Sequence, residues 1–202
     1  MERPRLLLTG FGPFPGAPRN PTAEVIARLA ERGDLARRVD LVVRVLPVTW
    51  AAIATFSELV ETVAPDAVLA TGLARRARTI RVERFASTRT MVAAVDAAGE
   101  RARPGALASS FPGRRVATAP VEALVAAIAA LGLPVEASGD AGTYLCNGLL
   151  RRAIETAGER PVAFLHLPPT RDLAPASRFG VRDLERAVAA AIPPLVAAIR
   201  RG

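Results

Sequence analysis

Two rhythms of apolar residues alternate along the chain. Short unbroken apolar runs give way to longer stretches in which apolar positions recur every three or four residues. Arg5 to Thr9, with Leu6-Leu7-Leu8 ended by Gly10, predicts a buried first strand. Asn20-Pro21 predicts a helix start, with a capping amide and a proline in the first turn. That helix runs through Val25, Ile26 and Leu29 to about Glu31. Asp40 to Val45 alternates poorly and predicts a strand buried on both faces. Thr49 caps a helix through Ile53, Phe56, Leu59, Val60 and Val63, which Pro65-Asp66 stops. Ala67 to Gly72 predicts a third buried strand. Ile80 to Ser87 alternates apolar and polar, as a half-exposed strand does.

From Arg89 to Arg115 the pattern dissolves into Gly, Pro and Arg, and predicts a long excursion or lid. Regularity returns with a short strand at Val116-Ala117 and a helix from Pro120 to Leu131, for which Thr118 is the candidate cap. A short strand at Pro134 to Ser138 follows. Ala141-Gly142 reads as a turn into a helix on which Cys146, Leu149, Leu150, Ala153, Ile154 and Ala157 share a face. Pro161 to Pro169 is a buried strand carrying His166 near its carboxyl end. A last helix runs from about Arg182 toward Arg200, with Pro193-Pro194 predicting a kink.

This order predicts an α/β fold, a three-layer α/β/α sandwich with a mixed, largely parallel central sheet. The length suits a single domain over residues 1–202, and no internal repeat is visible. In such sheets ligands collect at the carboxyl ends of strands, where the loops after Gly10 and Gly72 fall.

Composition narrows the function classes. The net charge is +8, and all 27 basic residues are arginine, since the chain has no lysine. The arginines are scattered, and aromatic residues make up only 4%, so stacking platforms are scarce. This argues against nucleic acid as a partner. No apolar run reaches the length of a membrane span, and the run behind Arg3 and Arg5 is too short for a secretion signal. Together with a single cysteine, which cannot form an internal disulfide, this predicts a cytoplasmic protein without a membrane partner.

The candidate chemistry lies in that cysteine and the one histidine. Cys146 falls in the first turn of a helix, where free amides and the helix dipole favour negative charge. A nucleophilic thiol needs a base to take its proton, and a third group to orient the base. Taken singly, Cys146 reads as a small buried hydrophobe and His166 as a core histidine. One cysteine and one histidine make a poor metal site, so no metal and no cofactor are expected. Gly10 to Gly16 lacks the Gly-Lys-Ser/Thr ending of a phosphate loop, and no G-x-S-x-G is present.

Five motifs in order resemble the pyroglutamyl peptidase I family. They are Thr9-Gly10-Phe11-Gly12-Pro13-Phe14-Pro15-Gly16, Asn20-Pro21-Thr22-Ala23-Glu24, Val82-Glu83-Arg84, Ala141 to Asn147, and Phe164-Leu165-His166-Leu167-Pro168. The resemblance implies a cysteine hydrolase that removes N-terminal pyroglutamate from peptides. It makes Cys146 the nucleophile, His166 the general base and acid, and Glu83 the orienting carboxylate, with Asp96 as reserve. Phe11 and Phe14 would sandwich the lactam ring as two exposed loop aromatics, and Leu73, Tyr144 and Leu145 would line the substrate site. It also implies a peptide or small N-acyl substrate, and self-association through Arg89 to Arg115.

The chain departs from the family where the specificity wall should stand. Leu73 replaces a glutamine, and Arg75 and Arg76 replace glycines, which predicts altered specificity. The family's oxyanion arginine falls near Ala93, with Arg89 the nearest substitute, and Phe85-Ala86-Ser87-Thr88 stands for V-A-I-N. A different class of reading makes the chain a catalytically weak binding module that keeps the trio.

Overall fold

A computed structural model of the chain describes residues 3–89, 94–103 and 113–199. Six strands form the main sheet: β1 (Arg5–Phe11), β2 (Asp40–Leu46), β3 (Ala67–Leu73), β4 (Ile80–Glu83), β7 (Val135–Ser138) and β8 (Val162–Leu167). Between β4 and β7 in the chain, β5 (Phe85–Ala86) and β6 (Arg115–Val116) pair as a separate antiparallel ribbon. The sheet order is β2-β1-β3-β8-β4-β7. β2, β1, β3 and β8 run parallel; β4 turns antiparallel against β8 and carries β7 parallel to itself.

Helices cover both faces. On one side lie α1 (Pro21–Ala30), α5 (Val121–Ala129) and α7 (Val181–Ala197), packed on Leu6, Leu8, Leu69, Ile80, Val82 and Leu165. On the other lie α3 (Trp50–Ala54), α4 (Phe56–Val63) and α6 (Leu145–Ala157), packed on Leu7, Val68, Ala70, Val162 and Phe164. A four-residue helix, α2 (Gly33–Ala36), precedes β2. Alternate residues of each central strand thus feed opposite cores, and each fully buried Leu or Phe contributes roughly 1.5–3 kcal/mol. The predicted α/β sandwich is the observed one.

Several local expectations differ. β2 is an edge strand, so it is only half buried, and Arg44 and Val45 face solvent. The alternating Ile80–Ser87 stretch is not one half-exposed strand. It breaks at Arg84 into β4 and β5, and β4 lies inside the sheet with Ile80, Val82 and Glu83 fully buried. The helix beginning at Trp50 divides at Thr55. Thr118 does not cap α5; its hydroxyl donates to Arg160 O and accepts from Val162 N, tying the approach of α5 to β8. Pro193 and Pro194 sit inside α7, which continues to Ala197. The caps expected at Asn20 and Thr49 are present, accepting from Thr22 N and Ala52 N.

The chain leaves β1 toward one neighbour, β2, and returns to the other side of β1 with β3. The crevice beyond the carboxyl ends of β1 and β3 is therefore the topological switch point, where such sheets hold ligands.

Candidate active site

The β3–β8 register pairs Gly72 with His166 at the carboxyl ends of two central strands. In the antiparallel β4–β8 register Arg81 lies opposite His166, which puts Glu83 opposite Phe164. Glu83 and His166 then share a face as a diagonal cross-strand pair, within reach of long side chains. That face is the one α6 covers. Glu83 Oε1 lies 2.7 Å from His166 Nδ1, and Glu83 is wholly inaccessible to solvent. With Nδ1–H donating to the carboxylate, Nε2 is left for the sulfur of Cys146, which lies against Gly72, the residue paired with His166 across β3 and β8.

Cys146 is the second residue of α6. Gly142 takes φ +82°, a conformation few side-chain-bearing residues adopt, and turns the chain into the helix. Tyr144 occupies the N-cap without a side-chain cap, so the first amides of α6 remain available for an anion near Cys146. Gly72 is demanded by packing: a methyl group there would lie 2.7 Å from Cys146 Sγ and 2.8 Å from Phe164 Cζ. The sulfur is thereby pressed against the β3 backbone beside the imidazole.

The electrostatics favour the protonated imidazole. Burial pulls His166 toward its neutral form. The negative charge of Cys146, the hydrogen bond to it, and the bond and charge of Glu83 outweigh burial and raise His166 to about 9. A thiolate beside an imidazolium is the reactive state of a cysteine nucleophile. The second carboxylate oxygen, Glu83 Oε2, is buried and accepts no hydrogen bond among the described residues.

The family model for pyroglutamyl peptidase matches residues 4–182. The chain belongs to the pyroglutamyl peptidase family. It is 36% identical over 171 residues to a pyrrolidone-carboxylate peptidase of Cupriavidus taiwanensis, covering 82% of this chain and 78% of that one. It is 35% identical over 167 residues to that of Pseudomonas fluorescens, covering 81% and 78%. Its fold matches the crystal structure of pyroglutamyl peptidase I from Bacillus amyloliquefaciens with a TM-score of 0.85 at 24% identity, over 96% of this chain and 98% of that one.

The other residues expected at a pyroglutamyl peptidase site fall into distinct settings. Phe11 is not an exposed loop residue. It ends β1 and is buried in the α6-side core, because Thr22 Oγ1 takes both its backbone N–H and its carbonyl and extends the strand. Phe14 is half-buried against the same core, in a turn closed by reciprocal bonds to Ala17. Leu73 ends β3, half-buried, paired with Leu167. Leu145 is buried in the core under α6. Tyr144 meets Trp50 edge-on at 5.6 Å and donates its hydroxyl to Val95 O at 2.8 Å. Burial, then the charges of Asp96 and Cys146, hold the Tyr144 phenol above its ordinary value.

Asp96, the reserve orienter, makes its hydrogen bonds away from His166. Its carboxylate accepts from the amides of Trp50, Ala98 and Glu100, and organises a turn that also bonds through Ala97 N to Val48 O. Burial works against its charge, yet the three amides hold the carboxyl below its usual range. Ala93, the position facing the family's arginine, lies outside the described residues. Arg75 and Arg76 are not in the left-handed region, so the connection after β3 makes its turn without the glycines they replace. Among the described residues, no three His, Cys, Asp or Glu side chains converge as a metal site, and no helix is long and apolar enough to cross a membrane.

Asn147 carries a role that motif reading did not assign. It is buried; its Nδ2 donates to Ser87 O and Arg89 O, and its Oδ1 accepts from Ser87 N. The residue after Cys146 thus ties α6 to the segment that follows Glu83. A buried asparagine in a helix's first turn, one place beyond the cysteine, was the available signal.

Proposed function

We propose that Cys146, His166 and Glu83 are the nucleophile, proton carrier and orienting carboxylate of a pyroglutamyl peptidase. The observation that carries this reading is the single imidazole bonded to Glu83 Oε1 at 2.7 Å, with the Cys146 sulfur packed on Gly72, the strand partner of His166. The thiolate attacks the carbonyl of an N-terminal pyroglutamyl residue. Negative charge moves to the carbonyl oxygen, which the free amides at the start of α6 are placed to receive. The C–N bond breaks as His166 gives its proton to the leaving amine. The neutral imidazole then takes a proton from water, the hydroxide equivalent attacks the thioester, and pyroglutamate leaves as the thiolate–imidazolium pair re-forms. Glu83 holds the ring in register throughout.

Phe14 and Leu73, half-buried at the ends of β1 and β3, are the side chains suited to contact the flat lactam. Tyr144, Leu145 and Phe11 act one layer behind, holding the start of α6 and the floor of the crevice. The enzyme acts on peptides as one catalytic domain in the cytoplasm, where a lone thiol stays reduced. Cleavage of a pyroglutamyl-anilide tests the reaction, and iodoacetamide tests the thiol. Rapid alkylation of Cys146 that collapses in His166→Ala is the expected result. A folded protein whose thiol resists alkylation and which releases no chromophore would overturn the enzyme reading in favour of a binding module.

A further inference from the structure

We propose that the mouth of this site recognises a carboxylate on the peptide beyond the pyroglutamyl residue, through the guanidinium of Arg75 with Arg76 beside it. The inference rests on the peptidase reading and adds the class of substrate.

Arg75 stands in the connection after β3, on one lip of the switch-point crevice. Its guanidinium crosses to the other lip. Gly16, in the loop after β1, takes φ +91°, and a methyl group there would lie 3.0 Å from Arg75 Nη1. The glycine therefore leaves room for the guanidinium. Arg75 is three residues beyond Gly72, which abuts the nucleophile's sulfur. Three residues span at most about 11 Å. A peptide leaving from the scissile carbonyl covers about 3.4 Å per residue, so its first two residues fall within that reach.

The charge there is uncompensated. Arg75, Arg76 and Arg78 are exposed, and among the described residues no carboxylate pairs with them. Glu136 is engaged with Arg81 and Thr79, Asp96 with three amides, and Glu83 with His166. A planar guanidinium fork matches a carboxylate. That carboxylate comes either from an acidic side chain or from the free C-terminus of a pyroglutamyl dipeptide.

Four substrates separate these cases: pyroglutamyl-alanine amide, pyroglutamyl-glutamate amide, pyroglutamyl-arginine amide and pyroglutamyl-alanine as the free acid. At low salt, kcat/KM for a carboxylate-bearing peptide should exceed that of the alanine amide by about fivefold, with the arginine peptide slowest. The advantage should shrink as salt rises. The glutamate amide winning identifies the side chain as the source, and the free acid winning identifies the terminus. Joint replacement Arg75→Ala and Arg76→Ala should bring the acidic-to-neutral ratio to about one. Equal kcat/KM for all four, or a preference that survives the replacement, overturns the proposal. If no peptide is cleaved, the peptidase reading fails on its own. Calorimetry on Cys146→Ala then decides: tighter carboxylate binding that is lost with the two arginines supports the proposal, while equal affinity or no binding overturns it.

Discussion

Gly72 shows how narrowly the proposed nucleophile is held. The absence of one methyl group allows Cys146 Sγ to sit against β3 beside His166. Gly72→Ala should displace the sulfur and lower kcat/KM about 100-fold, the order of loss expected for a 1 Å misplacement. Overpacking should cost about 1–3 kcal/mol of stability, read by urea unfolding. Glu83 acts on the same imidazole electrostatically. Its hydrogen bond and charge help raise His166 to about 9, so activity should fall as pH rises through about 9 and the imidazolium is lost. In Glu83→Gln that alkaline limb should move to lower pH, measured as kcat/KM against pH. An unchanged limb would remove Glu83 from its orienting role.

The helix that carries Cys146, α6, is tied at two points beyond its apolar face. Asn147 bonds three times to the backbone of Ser87 and Arg89. Tyr144 bonds to Val95 in the turn that Asp96 builds against Trp50. Asn147→Ala leaves Ser87 N–H without its acceptor, and should cost about 1–3 kcal/mol in denaturant unfolding. Its kcat should fall with little change in KM, because the defect lies in where α6 holds the thiol. Asp96→Ala should loosen the 95–101 turn and lower the melting temperature. Its alkaline limb should stay in place, since Asp96 does not touch His166. A shifted limb would restore Asp96 as an orienter.

Across the whole molecule, the site sits on central strands rather than on loops alone, so its protonation is coupled to folding. His166 is raised from an ordinary value of 6.5 to about 9 in the folded chain. Its contribution to stability is therefore complete below about 6.5 and lost as pH rises through about 9. Urea unfolding between those values should show declining stability. In Cys146→Ala the decline should be smaller, because the charge that most strongly raises His166 is gone. A decline of equal size in both proteins would mean that the thiolate–imidazolium pair contributes nothing to the folded state.

Much of this was legible in the chain. Apolar period and turn residues marked the strands at Leu6-Leu7-Leu8, Ala67–Gly72 and Val162–Leu167, since a buried strand must be apolar throughout. Cys146 at a helix start and His166 at a strand end followed from the same patterns, and five motifs in order named the family. Local sequence could not supply partners. Whether β2 is an edge or a centre, and whether β4 runs against β8, depends on which strands become neighbours. β4 therefore read as half-exposed, although it lies inside the sheet and buries Glu83. Asp96 and Glu83 looked interchangeable as carboxylates. The antiparallel β4–β8 register sets Glu83 diagonal to His166 while three amides occupy Asp96, and this supports Glu83 as the proposed orienter. Sequence determined which side chains could do the chemistry, because that depends on residue type and local position. Tertiary structure decided which of them meet, because 2.7 Å contacts between residues 83 apart exist only once the sheet has assembled.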